Sequence, residues 1–126
     1  MSYSKIVIDL FIDPENEGEL EDADGVGEAA NQDSADFFKI MLKVNNKGII
    51  DDIKFSVFSC CEGVSAGSMT TILAKGKTIR EAEKISEQDL LTALNGLPKD
   101  KIYCANLAVT ALKKALEDYG NNSNNS

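Results

Sequence analysis

Two short segments in which apolar residues recur at every second position constrain this chain more than any other feature. Phe38, Ile40, Leu42 and Val44 alternate with Phe37, Lys39, Met41 and Lys43, and Ile53, Phe55 and Val57 alternate with Lys54, Ser56 and Phe58. A period of two is that of a strand with one buried face. Between the segments stands Asn45-Asn46-Lys47-Gly48, residue types that tolerate the positive φ of a tight turn. The stretch therefore predicts an antiparallel hairpin, and a hairpin must bury its apolar face against something else in the chain.

The remaining sequence supplies the cover. Residues 4–12 form an apolar stretch stopped by Asp13-Pro14, which predicts a short N-terminal helix. Residues 15–36 are acidic and rich in Gly, Ala, Asn and Asp, and predict loop, or at most a poorly defined edge strand. After Cys60-Cys61 the period becomes helical: Val64, Gly67, Thr71 and Ala74 share one side of a helix over 63–75 that ends near Gly76. Thr78-Ile79-Arg80-Glu81 has the form of a capping box, and Ser86-Glu87-Gln88-Asp89 opens a further helix closed by Asn95-Gly96. The last helix is marked by Cys104, Leu107, Ala108, Ala111, Leu112, Ala115, Leu116 and Tyr119 at i, i+3, i+4 spacing. Residues 120–126 (GNNSNNS) are low in complexity and predict a disordered polar tail after a domain spanning 1–119. Strands in the first half and helices in the second predict an α+β domain, a small antiparallel sheet with helices packed on one face.

Composition removes several functions. A net charge of −8 speaks against nucleic acid, whose binding rests on Lys and Arg neutralising phosphates, and against an anionic membrane surface. No apolar run approaches transmembrane length. Three cysteines, two of them adjacent, make no disulfide framework, so the chain reads as cytoplasmic with reduced thiols. There is no His, which removes the most frequent metal ligand and the usual general base at neutral pH. No phosphate loop of the GxxxxGKS form and no GxGxxG is present, and Gly76-Lys77-Thr78 reads as a turn between helices.

What chemistry is left lies with the thiols. Cys60 and Cys61 stand where a strand hands over to a helix, and Cys104 where the final helix begins. A helix start offers unpaired N–H groups and the positive end of the helix dipole, which favour the thiolate that binds soft metals and attacks sulfur. Against this, a buried Cys often behaves as a small hydrophobe, and the position of Cys104 on an apolar stripe favours that simpler reading. Asp33 and Asp36 form a carboxylate pair that, in so acidic a loop, reads as solvated charge.

An ordered set of motifs goes further. Tyr3-Ser4 with Val7-Ile8-Asp9, followed by Asp13-Pro14-Glu15-Asn16-Glu17-Gly18, resembles the opening "YS…VIDHY…NPRNVG" of the IscU and NifU N-terminal family. Lys43-Val44, Gly48-Ile49-Ile50, Asp52 and Lys54-Phe55 resemble its hairpin. Lys75-Gly76-Lys77-Thr78 with Glu81-Ala82 is similar to its "KGKSLDEA", and Leu97-Pro98-Lys99-Asp100-Lys101-Ile102-Tyr103-Cys104 to its "LPPVKIHC". The pieces run in the family's order from about residue 2 to residue 119.

The resemblance implies a non-enzymatic scaffold that holds a nascent iron–sulfur cluster of the 2Fe–2S kind, or zinc in its place, on three cysteines with an Asp or His. The family's first cysteine, in "ACGD", falls on Ser34, and the aspartate of that motif on Asp36. The second cysteine falls on Cys60, with Cys61 in place of a glycine. The family's histidine falls on Tyr103 and its third cysteine on Cys104. The implied metal set is thus Cys60, Cys61, Cys104 and Asp36, with Ser34 and Tyr103 as altered positions and Cys61 and Cys60 as sulfur acceptors. Three thiolates fall one short of a four-thiolate iron site, which Asp36, an added thiol or a second subunit in a homodimer would complete. The implied partners are a cysteine desulfurase, an Hsp70-type chaperone and recipient apoproteins. In the chaperone segment Lys99-Asp100 replace Pro-Val. The rival reading is a persulfide carrier or desulfurase-docking protein that binds no cluster.

Overall fold

The computed structural model describes residues 3–124 apart from Gln32, Ser34 and Cys60, with the side chains of Cys61, Ser123 and Asn124 set aside. Three strands form one antiparallel sheet in the order β1-β2-β3: β1 Gly25–Asn31, β2 Asp36–Val44 and β3 Ile50–Phe58. The hairpin is the one the alternation predicts, with Phe38 opposite Val57, Ile40 opposite Phe55 and Leu42 opposite Ile53. Its turn is held by Asn45, whose side-chain oxygen accepts from the N–H groups of Lys47 and Ile49. Gly48 takes φ +78°, a conformation that costs glycine nothing.

Residues 15–36 hold more order than their composition suggests. β1 is a seven-residue edge strand in which Gly25, Gly27 and Ala29 face inward and Val26, Glu28 and Ala30 face out. Its weak sequence signal has a physical cause. A Cβ on Gly27 would overlap the Ala111 carbonyl oxygen and the Ala115 nitrogen, so the strand lies nearly in backbone contact with the last helix. Small residues replace the apolar alternation that would otherwise announce a strand.

The helices are α1 Lys5–Ile12, α2 Cys61–Ala74, α3 Ile79–Glu83, α4 Glu87–Ala93 and α5 Tyr103–Asn124, with a 3₁₀ turn, Lys99–Lys101, before α5. α1 begins at Ser4, whose hydroxyl accepts from the Val7 N–H. α3 and α4 each open with the capping box read from sequence, Thr78 with Glu81 and Ser86 with Asp89. α2 and α5 lie on the same face of the sheet, and Phe38, Ile40, Leu42, Ile53 and Phe55 are fully buried beneath them.

Two helices depart from the sequence reading. α2 is buried round most of its circumference because α1 covers the side turned from the sheet. Its inner polar residues are satisfied by backbone carbonyls: Ser65 donates to Val7 of α1 at 2.6 Å, Ser68 to Glu15 at 2.9 Å and Thr70 to Ala66 one turn back at 2.8 Å. α5 continues through Gly120 to Asn124 where the tail composition suggests disorder. Asn122 there donates to the Asp24 carbonyl at 3.3 Å, which ties the extension to the segment entering β1.

Candidate metal and sulfur site

The hairpin register sets where the site can be. Phe37 pairs with Phe58, so the start of β2 and the end of β3 lie side by side at one end of the sheet. Asp36 is the first residue of β2, and Ser59 leads out of β3 toward Cys60, which lies outside the described residues, as does Ser34. Cys61 opens α2, and Tyr103 and Cys104 open α5. Two helix N-termini and two strand ends therefore supply the positions that the motifs single out. The positive ends of both helices favour anionic ligands and thiolates there.

One contact fixes the convergence. Tyr103 donates its hydroxyl hydrogen to Asp36 Oδ2 at 2.6 Å, across 67 positions of sequence. Asp36 is only 6% exposed, which corrects its reading as a solvated surface charge; Asp33 is exposed. The burial follows from its place at the head of an interior strand, and a buried carboxylate requires donors such as this phenol. Cys104 is fully buried in the first turn of α5 and belongs to the apolar core cluster. Among the described residues no three His, Cys, Asp or Glu side chains are grouped closely enough to hold a metal ion.

A second phenol–carboxylate pair escaped the sequence reading. Tyr3 donates to Glu62 Oε1, and Glu62, in the first turn of α2, is 2% exposed. Its place directly after Cys60-Cys61 was the available signal, since an acid in a first helical turn next to two thiols invites attention beyond a surface role. Ala35 is a further unexpected feature. It takes φ +61° between Ser34 and Asp36, a left-handed conformation that residues with a Cβ rarely adopt.

Comparison with known proteins identifies the architecture. The family model described as the NifU-like N terminal domain matches residues 2–126. The chain belongs to this family. Among its relatives, the iron-sulfur cluster assembly scaffold protein IscU 1 of Archaeoglobus fulgidus is 48% identical over 117 residues, covering 93% of this chain and 76% of the relative. The IscU scaffold protein of Escherichia coli K12 is 37% identical over 122 residues and covered over 94% of its length. The solved N-terminal domain of a nitrogen-fixing NifU-like protein from Brucella abortus superposes with a TM-score of 0.68 at 19% identity, covering 94% of each chain, and shares the fold. The resemblance read from the ordered motifs is thus borne out, and with it the α+β class. No described helix of this NifU-like domain is long and apolar enough to cross a membrane.

Proposed function

We propose that this protein is a non-enzymatic scaffold or carrier in iron–sulfur cluster assembly, which holds a transient 2Fe–2S cluster as cargo and releases it to recipient apoproteins. The observation that carries this reading is the meeting of the β2 start, the β3 end and the α5 start at one end of the sheet, with β2 and α5 tied by the Tyr103–Asp36 hydrogen bond. The family match along the chain supports it. On this reading the unit at work is residues 1–119. Cys60, Cys61 and Cys104 supply thiolates at or beside helix starts, and Asp36 or a second copy of the chain supplies the remaining ligand. Cys104 is buried in the first turn of α5, directly after Tyr103. Zinc, bound by the same thiolates, is the competing ion. The partners are a cysteine desulfurase as sulfur donor, a chaperone and the recipients, all in the cytoplasm.

The sulfur-carrier reading draws on a specific feature: Ser34 and Tyr103 stand where the family has good soft-metal ligands, while Cys61 adds a thiol next to Cys60. A persulfide accepted by one thiol of this pair can pass to the other through thiolate exchange. One experiment separates the two. Protein given iron, a cysteine desulfurase, free cysteine and a thiol reductant, which converts the persulfide sulfur to sulfide, is expected without oxygen to take up iron and sulfide in equal amounts and to develop sulfide-to-iron charge-transfer absorption. Cys104→Ala is expected to abolish that absorption. Peptide mapping is expected to place the incoming sulfur chiefly on Cys61, and Cys61→Gly to reduce loading. Persulfide on the pair without iron uptake would leave the carrier reading standing and remove the scaffold.

A further inference from the structure

The altered ligand position at Tyr103 has chemistry of its own. Its hydroxyl oxygen lies 2.6 Å from Asp36 Oδ2, and the two residues stand on elements far apart in sequence. Two oxygens at that separation, each about 2.0 Å from a shared metal ion, subtend an angle of about 80° there, close to one edge of an octahedron. The spacing that makes a short hydrogen bond is therefore also the bite of a bidentate oxygen site, with the shared proton standing where a metal would bridge. Tyr103 is half-buried and Asp36 nearly fully so, which holds both oxygens in place without long flexible arms.

The donor type determines which metal suits such an edge. Zinc in proteins takes thiolate, imidazole and carboxylate, a set that a histidine at this position would complete and a phenol does not. Hard oxygen donors favour harder cations, and tyrosinate is an established ligand of ferric iron. We propose that Tyr103 is a specificity-determining residue which, with Asp36, binds a ferric ion through two oxygens and turns this site from zinc toward iron. The proposal rests on the scaffold reading for its biological meaning, since iron is then cargo on its way to a cluster. Binding breaks the Tyr103 O–H bond and forms iron–oxygen bonds to Tyr103 and Asp36. The proton leaves to solvent, and no electron moves.

The test uses the full chain and ferric citrate. The protein has three tyrosines, Tyr3, Tyr103 and Tyr119. Wild type is expected to develop a visible phenolate-to-iron charge-transfer band, with tyrosine ring modes enhanced in resonance Raman spectra excited within it. Tyr103→Phe is expected to lose both while keeping its far-ultraviolet circular dichroism, and Tyr3→Phe and Tyr119→Phe to keep both. In competition between zinc and iron, Tyr103→His is expected to move the preference toward zinc by at least tenfold. Absence of the band in wild type, or its survival in Tyr103→Phe, would overturn the proposal. So would tighter iron binding by Tyr103→Phe, because the hydroxyl would then be a lock on Asp36 and no ligand. Failure here is distinct from failure of the scaffold reading. A wild type that assembles cluster but shows no phenolate band loses only this proposal, whereas a phenolate band without cluster assembly loses only the scaffold.

Discussion

Ala35 occupies the place of the glycine in the family's "ACGD" motif, yet it keeps the backbone shape that a glycine would supply, φ +61°. The left-handed region brings a Cβ against the neighbouring carbonyl at a cost of about 1–2 kcal/mol, which glycine avoids. Part of that gain is returned, because glycine loses more backbone freedom on folding, about 0.4–1 kcal/mol. Ala35→Gly is therefore expected to stabilise the protein by about 0.5–1 kcal/mol, read as a rise in the urea midpoint at unchanged slope. A destabilised variant would mean that Ala35 leaves the left-handed region in solution. The strain is placed between Ser34 and Asp36, where it holds the aspartate at the head of β2. Such a conformation next to a site persists only when its surroundings enforce it, and the bond from Tyr103 is one contact that does so.

Among the elements, β1 and α5 show what the sequence could and could not reveal. The hairpin and both capping boxes were legible because apolar alternation and cap chemistry are local signals. β1 was not, because its inward positions are Gly25, Gly27 and Ala29, chosen by the closeness of a helix over 80 residues away. The buried state of Asp36 was hidden for the same reason, since its partner comes from α5. The cysteine positions were legible through their order in the chain; beside them Glu62 had a local signal, but its partner Tyr3 lies 59 residues away and nothing local pairs the two. Two glycine substitutions probe this description. Gly27→Ala is expected to cost at least about 2 kcal/mol, since the new methyl meets backbone atoms of α5 that cannot rotate away. Gly120→Ala meets nothing within 4 Å and lies inside the extended α5. It is expected to stabilise by up to about 1 kcal/mol, the helix-propensity difference in an interior position. Urea unfolding measures both, and a neutral Gly120→Ala would argue that residues 120–124 do not hold helix in solution.

At the scale of the whole molecule, the question is whether the metal makes the fold or only uses it. Small metal-dependent domains lack a sufficient core and unfold when chelated. Here the core is continuous from α1 through the sheet to α5, with Val7, Phe38, Ile40, Leu42, Phe55, Leu90 and Leu112 fully buried. The candidate site sits at one edge of this core, and the Tyr103–Asp36 bond ties β2 to α5 without any ion. The metal-free protein in EDTA is therefore expected to unfold in one cooperative transition, with far-ultraviolet and near-ultraviolet signals lost together. A ligand that binds only the folded state adds RT ln(1 + [L]/Kd), about 2.7 kcal/mol at a hundredfold excess over Kd. For a chain of this size each kcal/mol moves the midpoint by about 3–5 °C. Saturating metal should thus raise Tm by roughly 10 °C from an already folded baseline. Loss of cooperative unfolding in EDTA would place the metal among the elements that build the fold, and the hydrogen bond between Tyr103 and Asp36 would then be too weak to hold the site edge on its own.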